Sequence, residues 1–109
     1  MPRKFKLVVL SNCSEGGDAA FNDWYDNIHL GDVLKVDDFV SAQRFELSLP
    51  VSDGKHYKYC AIYNVETDDP EAALERLASK AGTPEMTLSD TLAEVHGALY
   101  EEHGPLVQA

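Results

Sequence analysis

The chain has 109 residues, which is room for one domain (residues 1–109) and not for two. Hydrophobic residues make up 44%, the share of a globular protein and too high for a disordered one. Nine basic against 19 acidic residues leave a formal charge of -10, which repels phosphate backbones and anionic lipid, so nucleic acid and membranes are not expected partners.

Arg3, Lys4 and Lys6 cluster near the start, but three charges do not outweigh that excess and read as a solvated edge. The apolar run Leu7 to Leu10 is too short for a signal-peptide core, and no stretch approaches the length of a membrane span. Cys13 and Cys60 then read as reduced thiols, and the expectation is a cytoplasmic protein.

Phe5 to Ser11 is apolar enough for a strand covered on both faces. Asn12, Ser14, Gly16 and Gly17 break it and supply helix-start chemistry. Asp18 to about His29 predicts a helix: Ala20, Trp24 and Ile28 recur every fourth residue, and Phe21 and Tyr25 widen the apolar arc. Leu30-Gly31 is its expected stop, with a short turn over Asp32 to Lys35. Phe39 to Ser48 predicts a second strand whose alternation sets Phe39, Ser41, Gln43, Phe45 and Leu47 against Val40, Ala42, Arg44 and Glu46. A turn region from Leu49 to Gly54 leads to a third, aromatic-rich strand, Tyr57 to Val65. Asp69-Pro70 opens a second helix reaching about Ala81, and Gly82 ends it. Thr83 to Ala93 reads as a loop with one helical turn, Val95 to Glu101 as the last strand, and Gly104-Pro105 as the start of a loose tail.

The order βαββαβ is that of an α+β, ferredoxin-like fold: one four-stranded antiparallel sheet with both helices on one face. Tyr59, Ala61 and Tyr63 fall on one side of the third strand, Cys60 and Ile62 on the other. Both sheet faces are too apolar for water, so the face without helices calls for a partner, most simply the sheet of a second copy.

Taking about 100° per helical residue, Asn22, Asp26 and His29 share one stripe with Tyr25 on its border. His29 can move a proton at neutral pH, with Tyr25 or Asn22 steadying an oxygen of the ligand. It can equally serve as a charge at the helix C-terminus. Trp24 sits mid-arc and fits the core, though it can also touch a ligand. Phe39, Phe45, Tyr59 and Tyr63 either line an aromatic cleft between sheets or pack an interface, and His96 in the last strand turns towards that interior or is plain structure. Arg44 and Glu46 form either a buried pair or a solvated edge pair. No metal-ligand spacing, glycine-rich nucleotide motif or phosphate loop occurs, and no cofactor is expected. Cys13 has no basic sequence neighbour to activate it.

The run from Phe21-Asn22-Asp23-Trp24-Tyr25-Asp26-Asn27-Ile28-His29-Leu30 through Asp32-Val33-Leu34 to Phe39-Val40-Ser41-Ala42-Gln43-Arg44-Phe45 resembles the signature of the EthD-like branch of the dimeric α/β-barrel superfamily. Leu99-Tyr100-Glu101 followed by Gly104-Pro105 is similar to that family's closing strand. The chain departs from the pattern at Gly31, where proline is common, and at Asp37-Asp38, where Pro-Gly is common. The resemblance implies two sheets facing across a homodimer, with a cleft in each subunit. It also implies a range of chemistries: monooxygenases without cofactor, polyketide cyclases, lactone isomerases, aldoxime dehydratases and haem-degrading enzymes. Three readings follow. The first is a cofactor-independent enzyme of lyase, dehydratase, isomerase or cyclase type acting on a small hydrophobic cyclic or aromatic metabolite, with a cofactor-independent monooxygenase as its redox variant. The second is a non-catalytic binder of such a metabolite. The third is a structural dimer with a filled barrel.

Overall fold

The structure, a computed structural model, describes residues 2–109. Its elements run β1 (Arg3–Cys13), α1 (Asp18–Trp24), a π-helical turn (Tyr25–His29), α2 (Leu30–Leu34), β2 (Phe39–Glu46), β3 (Tyr59–Thr67), α3 (Pro70–Lys80) and β4 (Leu92–Glu101). The strands pair antiparallel in the order β2-β3-β1-β4. The helices lie against one face, giving the α+β ferredoxin-like fold as two layers in a slab of 44 × 40 × 21 Å.

Strict alternation on β3 fixes the two faces. Tyr59, Ala61, Tyr63, Val65 and Thr67 are buried towards the helices, while Cys60, Ile62, Asn64 and Glu66 point the other way. Phe5, Leu7 and Ser11 of β1 join the helix side. Val8, flanked by Ile62 and Ala98, lies at the middle of the open side. The 47–58 excursion folds back over one end of that side: Tyr57 stacks on His96 at 6.3 Å, Lys55 pairs with Glu94, and the Lys58 amide donates to Asn12 Oδ1 at 2.8 Å.

β2 departs from the expected faces. The register shifts between Phe39 and Ser41, so Val40 is an extra residue opposite β3. Such a bulge reverses the alternation beyond it. Phe39 is buried under the helices with Ala42 and Arg44 on its side, whereas Phe45 stands on the open side at 44% exposure. The expected grouping of Phe39 with Phe45 is therefore corrected.

The helix that was expected to stop near Gly31 continues to Leu34. Gly31 has ordinary helical geometry, and the expected turn over Asp32 to Lys35 is mostly α2. Val33 and Val36 supply the reason: both are buried, and the packing of that turn outweighs the local preference of glycine to end a helix. At the other end, a Cβ on Gly17 would be tight against the Ser14 carbonyl oxygen at 3.1 Å and Thr91 Cβ at 3.3 Å, and would push the Ser14 hydroxyl aside.

α3 begins as expected, with Asp69 Oδ1 accepting from the Ala72 amide at 3.1 Å and Pro70 in the first turn. Arg76 on α3 donates to Asp38 Oδ2 at 2.6 Å and secures Asp38 in the left-handed region at φ 78°. The helical turn expected within Thr83 to Ala93 is not formed. That segment runs as turns, bridged from Ala81 to Met86 and hydrogen-bonded from the Ser14 amide to Thr91. β1, β3 and β4 also exceed or shift from their expected bounds, because pairing along the long β1 recruits residues with no apolar pattern of their own.

Gly31→Ala places a methyl group in open space on a helical backbone. It is expected to raise stability by about 0.5–1 kcal/mol, read as an increase in denaturant midpoint without a change in slope.

Candidate functional site

The π turn organises the site. Its signature bond runs from the Leu30 amide to the Tyr25 carbonyl, five residues back. Five-residue hydrogen bonding brings positions five apart onto one face, where an α-helix would separate them. Trp24 and His29 are five apart, and their rings stack at 4.5 Å and 24°. Tyr25 meets the His29 ring edge-on at 5.0 Å. The indole is anchored from its far side, Nε1 donating to the Thr87 carbonyl at 3.0 Å.

Trp24, Tyr25 and His29 form one wall of a cavity of about 230 Å³ between the sheet and the helices. Leu7, Val9, Ser11 and Tyr63 form its floor on the sheet, and Val33, Leu77 and Met86 close it from above. Leu88 and Val95, both half-exposed, stand at its mouth. No side chain with a formal charge at neutral pH lines it. A second depression of about 260 Å³ beyond Met86 is polar, but its cations are already paired, Lys35 with Asp32 and Lys80 with Glu85.

Burial pushes the His29 imidazole below its ordinary 6.5, with Asp32 opposing, so the ring is neutral at pH 7. Its Nδ1 is buried without a hydrogen-bond partner among the described residues. The Tyr63 hydroxyl donates to that of Tyr25 at 3.3 Å, a long contact for two hydroxyls. Burial raises both phenols, and Arg44, 4.4 Å behind the Tyr25 ring, works in the opposite direction. Both tyrosines are therefore proton donors, and the Tyr25 proton has no acceptor among the described residues.

The helical stripe read at 100° per residue does not hold across the π turn. Asn22 and Asp26 lie on the opposite flank of the helix, away from His29. Asn22 Nδ2 donates to the Tyr59 hydroxyl at 3.2 Å, and that hydroxyl donates to Asp18 Oδ2 at 2.7 Å. Lys58, and Tyr59 with it, lower the Asp18 carboxyl to about 2. Asn22 is thus structural where a role beside His29 was expected. Of the expected ligand contacts, Trp24 and Tyr63 line the cavity. Tyr59 packs on Phe21 at 5.3 Å and Phe39 is core. Phe45 and His96 sit on the open side of the sheet, and the cleft lies between sheet and helices where one between sheets was expected.

Ser11, Leu77, Met86 and Leu88 carry no sequence signal for the cavity, being ordinary residues brought together by the fold. Arg44 pairs with Asp26 at 2.8 Å where Glu46 was the expected partner. The thiols of Cys13 and Cys60 are unpaired, and burial raises both. Among the described residues no group of three His, Cys, Asp or Glu stands together to hold a metal ion. Among the described residues no helix is long and apolar enough to cross a membrane.

Fold and cavity together define a ferredoxin-like α+β domain with a ligand-sized chamber under its helices. Two solved structures share this fold. One, a candidate monooxygenase from Shewanella loihica PV-4, matches with a TM-score of 0.57 and 14% identity over 100% of this chain and 99% of its own. The other, an EthD family protein from Bacillus halodurans C-125, matches at 0.57 and 14% over 92% of this chain and 99% of its own. The ferredoxin-like subunit fold expected from the EthD-like resemblance is thus the fold observed. No family profile and no curated protein matches the chain.

Trp24 is the single tryptophan, so its emission reports its histidine neighbour directly. Acid titration is expected to quench it with a midpoint below 6.5, and His29→Gln to remove the step. A histidine with a depressed folded pKa binds fewer protons folded than unfolded. Its contribution to stability is complete above pH 6.5 and declines as pH falls towards the folded value. Denaturant melts on either side of 6.5 are expected to show a pH dependence that is reduced in His29→Gln.

Proposed function

We propose that this chain is a cofactor-independent enzyme of lyase, dehydratase, isomerase or cyclase type, acting by proton transfer on a small hydrophobic cyclic or aromatic molecule held between sheet and helices. One observation supports it above the rest: a neutral imidazole with an unpartnered Nδ1, and a phenol that accepts from Tyr63 but whose own proton has no acceptor among the described residues, share the wall of an otherwise apolar cavity. A closed core seldom leaves a ring nitrogen and a phenol proton unpaired side by side. Apolar cavities of about 150 Å³ already take benzene, so this one suits a single substituted ring. His29 accepts the proton, and Tyr25 donates to the ligand oxygen on which charge develops.

The monooxygenase reading has the Shewanella loihica neighbour in its favour. Oxygen uptake during turnover separates it from the non-redox chemistry. Small phenols, ketones and aldehydes are to be screened by Trp24 emission, and binders then followed by mass spectrometry for conversion. His29→Gln is expected to lower kcat about 10²–10⁴-fold with Kd changed by less than about threefold. Equal turnover in the variant overturns the role of His29, and binding without conversion by wild type favours a carrier.

The reading includes a homodimer. The open sheet side presents Val8, Leu10, Phe45, Ile62, Ala98 and Tyr100, the last at 61% exposure. An apolar surface of that kind is the usual mark of a protein contact. Ile62→Lys at its centre is expected to halve the mass in sedimentation velocity, and an unchanged mass overturns this interface.

A further inference from the structure

Arg44 stands on β2 behind the Tyr25 ring and outside the cavity, in surroundings unusual for a cation. Its side chain is only 12% exposed. Nη1 donates to Asp26 Oδ1 at 2.8 Å, while Nε and Nη2 are buried with no hydrogen-bond partner among the described residues. Ring faces take the place of partners: the guanidinium carbon lies 4.4 Å from the Tyr25 centroid, 5.2 Å from Tyr59 and 5.6 Å from Phe21. The guanidinium is buried although its partner Asp26 is half-exposed, and burying a cation with two nitrogens unpaired carries a desolvation cost that an apolar side chain of similar volume does not. Packing alone therefore does not account for arginine at this position. Its charge acts most directly on Tyr25 and, through the hydroxyl contact, on Tyr63.

We infer that Arg44 is a positioning residue that turns the Tyr25–Tyr63 hydroxyl pair into a seat for an anionic oxygen, so that the cavity selects acidic phenols and enolisable ketones and holds them as oxyanions. This rests on the reading of the cavity as a ligand site. When His29 removes a proton from the ligand, the bonding electron pair moves to the ligand oxygen. Tyr25 donates to that oxygen, Tyr63 supports Tyr25, and the guanidinium lies over the Tyr25 ring. The proton stays on His29 until it returns to the ligand, so no oxidant, reductant or second substrate is needed.

Two effects compete at that oxygen. An apolar cavity disfavours the anion, whereas a nearby cation and two hydroxyl donors favour it. The other titratable groups around the pair are Cys60 from β3, Asp26 beyond Arg44, His29 across the cavity, and Asp32 beside His29. Asp26 is the closest opposing charge, but it is half-exposed and water screens it.

The probe is 4-nitrophenol, whose neutral and ionised forms absorb at different wavelengths. Bound to wild type, it is expected to ionise about 1 unit or more below its midpoint in water, a tenfold or greater preference for the anion. Arg44→Met is expected to move that midpoint up by about 1 unit, Arg44→Lys to restore most of the shift, and Asp26→Asn to deepen it. Tyr25→Phe keeps the ring over Arg44 and is expected to lose the shift as well, which keeps the inference testable if Arg44→Met does not fold. A bound midpoint at or above the free value, or one unmoved in both Arg44→Met and Tyr25→Phe, overturns the inference while leaving the cavity a ligand site. Failure of wild type to bind the probe at all overturns the cavity reading and this inference with it.

Discussion

One turn of helix governs what this protein presents to a ligand. Between Tyr25 and His29 the backbone closes its hydrogen bonds over five residues, and the side chains beyond that point are rotated relative to those before it. Without that turn, His29 would fall beside Asn22 and Asp26 on the flank that meets Asp18, Lys58 and Tyr59. With it, the imidazole lies on Trp24 and faces the chamber under α3. The indole in turn is held by the Thr87 carbonyl, so the turn also ties the irregular 81–91 segment to the cavity wall.

The bulge on β2 does comparable work from the sheet side. By reversing the alternation after Val40, it sends Arg44 under the helices and Phe45 to the open side. An unbulged strand would have placed Phe45 against the helices and the guanidinium among the apolar side chains of the open face. Two local irregularities, one in a helix and one in a strand, thus converge on Tyr25. His29 meets one edge of its ring, and Arg44 lies over its face. The sheet and helices around them hold these two in register.

Charge is arranged in the same spirit. A chain with a formal charge of -10 keeps its carboxylates at the periphery and leaves the chamber itself without any. Arg44, a cation only 12% exposed, pairs with the half-exposed Asp26 at the edge of a surface depression outside the chamber. The polarity available to a ligand is therefore concentrated in the imidazole, the serine hydroxyl and two phenols, where the low surrounding dielectric strengthens each contact.

The sequence by itself determined the element order, the antiparallel sheet and the split of β3 into two faces, but not which of those faces the helices cover: Tyr59 and Tyr63, expected between sheets, lie under the helices. The features it determined follow from period-two and period-four apolar patterns, which act over a few residues and are legible wherever they occur. Gly31 misled because its local preference is worth about 1 kcal/mol at most, less than the burial of Val33 and Val36 around it. Phe39, Phe45, Asn22 and Asp26 were placed by ideal periods, and a single inserted residue or a single wider turn breaks such a period without leaving a mark in composition. Whether a strand bulges or a helix widens depends on which packing of the whole layer buries Phe21, Trp24, Tyr25 and Tyr63 together. That is a property of contacts between residues far apart in the chain, so only the tertiary structure decided where the cavity lies, which ring His29 stacks on, and that Arg44 stands behind Tyr25.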